Sequence, residues 1–215
     1  MKYLGKKELS NILGTMEILD IIMQPRENAW LRLVNSCRLN KGKKYVISNG
    51  CGDNLIVYIT EKGTYIKGFD HESERNQFAA EEWDSNFFEQ IYQDAPKEFL
   101  DLLEEEEKDE TTFCMWNLGE TDEWQENEIE ESIENEEIED DEIWEDGGKE
   151  YLLGYICKDA EQWYDWAKDY YETELDMEII QKVYDGITVA ENDIKTLNPN
   201  RNVPETLAEI SEVLA

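Results

Sequence analysis

The sequence predicts an α+β fold: a mostly antiparallel sheet of about five strands, helices packed on one face of that sheet, and a helical C-terminal third. Three runs of β-branched and aromatic residues, separated by turn-forming residues, predict the centre of the sheet. Apolar residues at three- and four-residue spacing near both ends predict helices. No stretch rich in glycine, serine or proline interrupts the 215 residues, so we expect a single domain over residues 1–215.

The first predicted element is an amphipathic helix over residues 7–24, which Pro25 ends. Its apolar residues lie three or four positions apart, as a buried helical face requires. They are Leu9, Ile12, Leu13, Met16 and Leu19. Residues 29–39 fit a short helix and a strand about equally well, and both interpretations stay open.

The predicted strands cover residues 45–47, 55–59, 65–69, 111–118 and 151–157. The first three are separated by Asn49-Gly50 to Asp53-Asn54 and by Glu61-Lys62-Gly63, which predict an antiparallel meander. If the strands predicted over 111–118 and 151–157 join this meander, the sheet has at least five strands. The acidic segment 120–146 is then an excursion between two neighbouring strands.

Helix-capping residues predict where the remaining helices begin. The predicted first residues or caps are Ser85 or Asn86, Asp94, Asp159, Asp176, Thr188 and Asn202. Four of these lie in the last third of the chain, which is therefore expected to be helical.

The charge is strongly acidic and unevenly distributed. The chain has 53 acidic and 20 basic residues, a formal net charge of −33, and residues 101–146 carry 23 acidic residues against one basic residue. This charge argues against direct binding to nucleic acid or to an anionic membrane, because phosphates would be repelled. It favours a basic protein partner.

The densest part, residues 120–146, has 16 acidic residues and no basic one, interspersed with tryptophan and isoleucine. Acidic segments that bind a partner carry such apolar anchors. The predicted partner-binding residues are Trp124, Glu126, Glu128, Glu130, Glu131, Glu136, Glu137, Asp140, Asp141 and Trp144. The alternative is that the tryptophan and isoleucine side chains pack on their own domain. The EF-hand calcium pattern fails here, because Leu153 stands where the closing ligand belongs.

Cysteine and histidine usage argues against a metal site. The four cysteines show no C-x-x-C spacing, and His71 is the single histidine. We therefore expect no metal and no cofactor. The N-terminal residues do not form the uninterrupted apolar stretch of a signal peptide or a membrane span, so we expect a reduced, cytoplasmic protein.

His71, in the run Asp70 to Glu74, is the candidate catalytic residue. A hydrolase could use its imidazole as a base, oriented by a neighbouring carboxylate. Adjacent residues on an extended chain point in opposite directions, however, so contiguity does not assemble a triad. The alternative is that His71 and its neighbours hydrogen-bond a strand end or a turn.

The runs Asn49–Asp53, Ile66–Glu74 and Thr112–Trp116, together with the aromatic helix around Trp163 and Tyr170, resemble a family of uncharacterised bacterial proteins. The resemblance covers most of the chain and implies no particular activity. In size, acidity and α+β character the chain is similar to the immunity proteins of bacterial toxin systems.

From these observations we expect a binding protein rather than an enzyme, with an acidic face that engages a basic partner such as a toxin or a nucleic-acid-handling enzyme. Two alternatives stay open. One is a hydrolase that uses His71 with neighbouring carboxylates, and the other is a domain whose acidity serves only solubility.

Overall fold

The computed structural model describes residues 4–119, 123–129 and 146–214, and it confirms the α+β class. One antiparallel sheet has the strand order β1-β2-β3-β4-β5. The strands are β1 (Val34–Leu39), β2 (Gly42–Ser48), β3 (Asn54–Thr60), β4 (Thr64–Phe69) and β5 (Phe113–Asn117).

The described helices follow the same chain order. They are α1 (Lys6–Met23), α2 (Ser85–Tyr92), α3 (Lys97–Leu100), α4 (Glu105–Asp109), α5 (Lys149–Leu153), α6 (Ala160–Tyr171), α7 (Met177–Tyr184), α8 (Glu191–Leu197) and α9 (Val203–Leu214), and a 3-10 helix, Arg26–Leu31, precedes β1. No helix within the described ranges combines the length and the apolar composition needed to cross a membrane.

The predicted meander is confirmed as β2, β3 and β4, and the predicted strand over 111–118 is confirmed as β5. Short turns join β1 to β2, β2 to β3 and β3 to β4, as antiparallel neighbours allow, whereas residues 70–112, which include α2, α3 and α4, connect β4 to β5. At Gly42 the backbone adopts φ +149°, and a Cβ there would lie 2.1 Å from the Ile59 carbonyl oxygen. Glycine is therefore required where β2 begins against β3.

The larger hydrophobic core lies on one face of the sheet, against α1 and the helices from α5 onward. Alternate residues of the strands, such as Val57 and Ile66, point into it, as the two-residue period of a strand requires. Trp163 of α6 is fully buried in this core. The helical C-terminal third and the main helical layer are thus as predicted.

The opposite face of the sheet is also partly covered, which differs from the prediction of helices on one face only. Phe87 and Ile91 of α2 and Phe99 of α3 pack against the strand residues that point the other way. Phe99 stacks on Tyr65 with ring centroids 5.1 Å apart. The segments concerned are short, so their helical periodicity indicates the buried side only weakly.

The strand predicted over residues 151–157 is wrong, because this region begins with helix α5. The Asp146 carboxylate accepts hydrogen bonds from the backbone N–H groups of Gly148, Lys149 and Glu150, which satisfies the free donors of the first turn. The fifth strand is instead β1, from the stretch that the sequence left open. The acidic segment therefore follows β5 and leads into a helix rather than joining two strands.

Most predicted helix starts agree with the structure to within one or two residues. The side chains of Asp159 and Asp176 cap α6 and α7 as predicted. Helix α2 is capped by Asp84 rather than by Ser85 or Asn86. Helix α8 begins after Ala190, because Asp193 accepts the Ala190 N–H at 2.7 Å, and the cap predicted at Thr188 is wrong.

Candidate functional site

The β4–α2 loop, residues 70–84, is built from side-chain hydrogen bonds to its own backbone. Asn76 accepts the Phe78 N–H at 3.0 Å and donates to the His71 carbonyl oxygen at 2.7 Å. Gln77 accepts the Asp84 N–H at 2.9 Å. Such bonds hold a loop without secondary structure in one conformation. The hydrogen bonds of Asn76 and Gln77 therefore position the residues that the loop exposes to solvent.

An aromatic series runs along this loop. Phe69, the last residue of β4, contacts Phe78 edge-on with ring centroids 6.1 Å apart, and Phe78 contacts Trp83 in the same way at 5.4 Å. Trp83 stacks on Phe88 of α2 at 5.1 Å. Phe78 is nevertheless 59% exposed and Trp83 48% exposed. The structure thus holds two large aromatic side chains in contact with each other and with water.

Exposed carboxylates surround this series in the chain. We define the aromatic–acidic surface as Phe78, Trp83 and Phe88 together with Glu74, Glu81, Glu82, Asp84 and Glu89. Residues 72–89 contain six acidic residues and one basic residue, Arg75. The surface combines apolar anchors with negative charge, which is the combination that the sequence predicted for residues 120–146.

The described part of the predicted acidic segment lies next to this surface. The lining of a cleft of about 490 Å³ includes Arg75 of the loop and Ile91 of α2 together with Glu126, Glu128 and Ile129. Both glutamates are exposed, and Glu126 forms an ion pair with Lys149 at 2.7 Å. Two of the predicted partner-binding residues therefore extend the acidic character beyond the β4–α2 loop.

Trp124, predicted as an anchor for a partner, is half-buried against its own domain. Its indole N–H donates to the Leu4 carbonyl oxygen at 3.2 Å, and its ring packs on the main core. This position agrees with local packing rather than with a free anchor. The other predicted partner-binding residues lie outside the described residues: Glu130, Glu131, Glu136, Glu137, Asp140, Asp141 and Trp144.

The candidate catalytic residue His71 contacts a carboxylate that the sequence did not indicate. Its Nδ1 lies 2.6 Å from Oδ1 of Asp53, and the same oxygen accepts the His71 backbone N–H at 3.0 Å. The neighbours considered from the sequence do not orient the ring, since Glu72 reaches only 3.9 Å from Nε2. Asn49 donates to the other Asp53 oxygen at 2.6 Å.

The hydrogen bond that the His71 ring donates to the Asp53 carboxylate raises the pKa of His71 above its usual value. Burial by itself would raise the pKa of Asp53, but the hydrogen bonds from His71 and Asn49 outweigh it and lower that pKa. The two groups therefore favour an imidazolium–carboxylate pair. Among the described residues, no serine or cysteine is hydrogen-bonded to His71, so the contacts do not show a nucleophile–histidine–aspartate triad.

A cleft of about 940 Å³ lies between α1, the β1–β2 hairpin and α9, and its lining includes neither His71 nor the aromatic–acidic surface. The buried carboxylate of Glu17 on its wall already accepts hydrogen bonds from Ser36 at 2.5 Å and Lys43 at 3.0 Å. Glu17 and Lys43 thus neutralise each other, and we assign no role to this cleft.

Sequence reasoning missed the aromatic–acidic surface and Asp53. The first has a readable signal, since Phe78 and Trp83 stand among acidic residues without helical or strand periodicity. The second is visible only through strand pairing, because 17 residues separate Asp53 from His71 in the chain. Comparison with known protein families, with curated proteins and with solved structures finds no match to this chain.

Proposed function

We propose that this chain is a non-enzymatic binding protein whose aromatic–acidic surface engages a basic protein partner. The observation that supports this most strongly is the exposure of Phe78 and Trp83, in ring contact, among exposed carboxylates. Exposed apolar clusters rimmed by polar groups are typical of interaction sites.

The two kinds of residue in the surface have different roles in binding. Tryptophan supplies much of the binding energy at many interfaces, because its large side chain loses water on contact. Carboxylates raise the association rate with a positive partner and select against negative ones. Lysine or arginine side chains of the partner also bind favourably over aromatic faces. The charge of the whole chain, −33, acts in the same direction.

The partner class we propose is a toxin or another enzyme that handles nucleic acid, because such proteins carry basic surfaces that contact phosphates. Carboxylates of the aromatic–acidic surface, with Glu126 and Glu128 beside them, would then occupy positions that phosphates occupy otherwise. An immunity or inhibitor role is the specific form of this proposal.

Capture experiments test the proposal. The wild-type protein, Trp83→Ala and the double variant Glu81→Gln/Glu82→Gln are each immobilised separately. A lysate of the native host cells is then applied to each at low salt. Trp30→Ala is the matched control, since Trp30 is 75% exposed but lies in the 3-10 helix before β1.

Support consists of one basic protein retained by wild type and Trp30→Ala, lost with Trp83→Ala, reduced with the double variant, and released as salt rises. If Trp83→Ala retains as much of the partner as wild type does, or if the retained partner is not basic, the proposal is contradicted. Circular dichroism confirms that each variant is folded.

A hydrolase is the second candidate, favoured by the 2.6 Å contact between His71 and Asp53. The raised pKa of His71 weakens it as a base, because more of the ring is protonated near neutral pH. His71→Ala should abolish any activity found with ester, amide or phosphoester substrates if this candidate is correct. Unchanged activity in that variant removes it.

A further inference from the structure

The pairing of β3 with β4 brings three potential metal ligands together. Asn54 pairs with Phe69 at the end of this strand pair, so Asp53 before β3 and Asp70 after β4 lie opposite each other. A carboxylate oxygen from each aspartate and a ring nitrogen of His71 lie within 4.8 Å of one another. The spacing of residues in the chain gave no sign of a metal site, because strand pairing assembles this group.

The two carboxylates carry like charges in a place with little water. Asp53 is 3% exposed and Asp70 is 7% exposed. Burial, assisted by the charge of Asp53, raises the pKa of Asp70 above its usual value. Like charges opposite each other on paired strands repel. Among the described residues near the pair, His71 is the cationic group that contacts it directly.

Asp70 keeps one oxygen free of hydrogen bonds from the described residues. Its Oδ1 accepts the Glu72 N–H at 3.0 Å, whereas no described residue donates to Oδ2. A carboxylate oxygen without a donor keeps its lone pairs available to a cation. The backbone N–H of Asp70 donates to Thr112 Oγ1 at 3.1 Å, which fixes the backbone from which this side chain extends.

We propose that Asp53, Asp70 and His71 bind one divalent transition-metal ion, of which zinc and manganese are the clearest examples. Two carboxylates and one imidazole are a ligand set that suits these ions, and water completes the coordination. The imidazole side chain, 42% exposed, gives the ion a route from solvent. When the ion binds, the ring nitrogen facing Asp53 gives its proton to water and its lone pair to the metal.

The single histidine of the chain makes the test direct, because its ring signals in a proton NMR spectrum belong to His71 alone. Zinc chloride is titrated into the wild-type protein and Asp70→Asn. Glu72→Gln is the control, since its carboxylate is 84% exposed and contacts His71 Nε2 only at 3.9 Å. The loss of an outer-shell partner already costs metal affinity about tenfold or more, so the loss of a direct ligand should cost at least that.

The expected result is a shift of the His71 signals that is complete near one equivalent of zinc in wild type and Glu72→Gln, and an affinity at least about tenfold lower in Asp70→Asn. Signals that do not shift, or that shift equally in Asp70→Asn, overturn the proposal. His71→Ala, followed by calorimetry, separates this site from weak zinc binding elsewhere on the acidic surface. Loss of the one-equivalent phase there is expected, and its persistence is contradictory.

Discussion

Asp20 of α1 makes the stability of the protein depend on pH in an unusual direction. Its carboxylate is fully buried, accepts the Val34 N–H at 2.8 Å at the start of β1, and accepts the Tyr171 hydroxyl at 3.4 Å. Burial raises its pKa from 3.8 to about 7, and the hydrogen bond from Val34 and the charge of Arg32 oppose this only in part. Between those values the folded protein keeps a proton that the unfolded chain has lost, so stability falls as the pH rises.

The substitution Asp20→Asn removes the ionisation but keeps an oxygen that can accept the Val34 N–H. From the pKa values of 3.8 and about 7, Asp20 should cost the wild type about 2.5 kcal/mol of unfolding free energy between pH 5 and pH 8. The variant should therefore gain that amount relative to wild type over the same interval.

Urea unfolding followed by circular dichroism at pH 5, 6, 7 and 8 measures this difference. Asp169→Asn is the control, because it removes the same charge from an exposed position on α6. The control and the wild type should keep a constant difference. If Asp20→Asn also keeps a constant difference from wild type at all four pH values, the assignment of a buried, proton-binding Asp20 is refuted.

Two further substitutions test the packing that supports the sheet. Glu209→Gln in α9 should cost about 3 kcal/mol of unfolding free energy, because it leaves buried Arg32, 2.8 Å away, without its anionic partner. The control is Glu205→Gln, which removes an exposed carboxylate of the same helix. Equal losses of stability for the two variants in urea unfolding would contradict this expectation. Gly148→Ala should destabilise the protein more than Gly50→Ala, although φ is similar at the two positions, +78° and +76°. A Cβ at position 148 would lie 2.2 Å from Oδ2 of Asp70, whereas a Cβ at position 50 would meet no atom within 4 Å. The strain at Gly50 should cost about 1 kcal/mol, and equal losses in thermal unfolding at both positions are inconsistent with the close contact.

The sheet was predictable because the residues of its central strands have strong local preferences for extended structure. β-Branched and aromatic residues alternate with turn residues over 45–69, and these local preferences agree with the final pairing. The region 151–157 shows where such preference fails. Its residues suit a strand, but the helix start set by Asp146 and the burial of Leu152 and Leu153 favour a helix.

The candidate site was less predictable, for a reason that depends on chain separation. His71 was recognisable as the single histidine, but its partner Asp53 reaches it only when β3 pairs with β4. The aromatic–acidic surface depends on the hydrogen bonds of Asn76 and Gln77, which decide that Phe78 and Trp83 face water. The sequence predicted an acidic surface with apolar anchors at residues 120–146, which stays a prediction, and the surface on the β4–α2 loop became visible only in the structure.

The fold and the proposed function are connected through the β4–α2 loop. Phe69 belongs to β4 and contacts Phe78, while Phe88 belongs to α2 and contacts Trp83. The exposed rings are therefore attached at both ends to regular elements rather than to a free loop. A surface held in this way loses little conformational entropy on binding, which favours affinity.

The most direct test of the central claim is a calorimetric titration of the purified basic partner into wild type, Trp83→Ala and Trp30→Ala at two salt concentrations. We predict that Trp83→Ala weakens binding by about 30-fold, or about 2 kcal/mol, that Trp30→Ala binds as wild type does, and that added salt weakens binding of all three proteins. Equal affinities for the three proteins, or an affinity that does not respond to salt, would contradict the claim that the aromatic–acidic surface binds the partner.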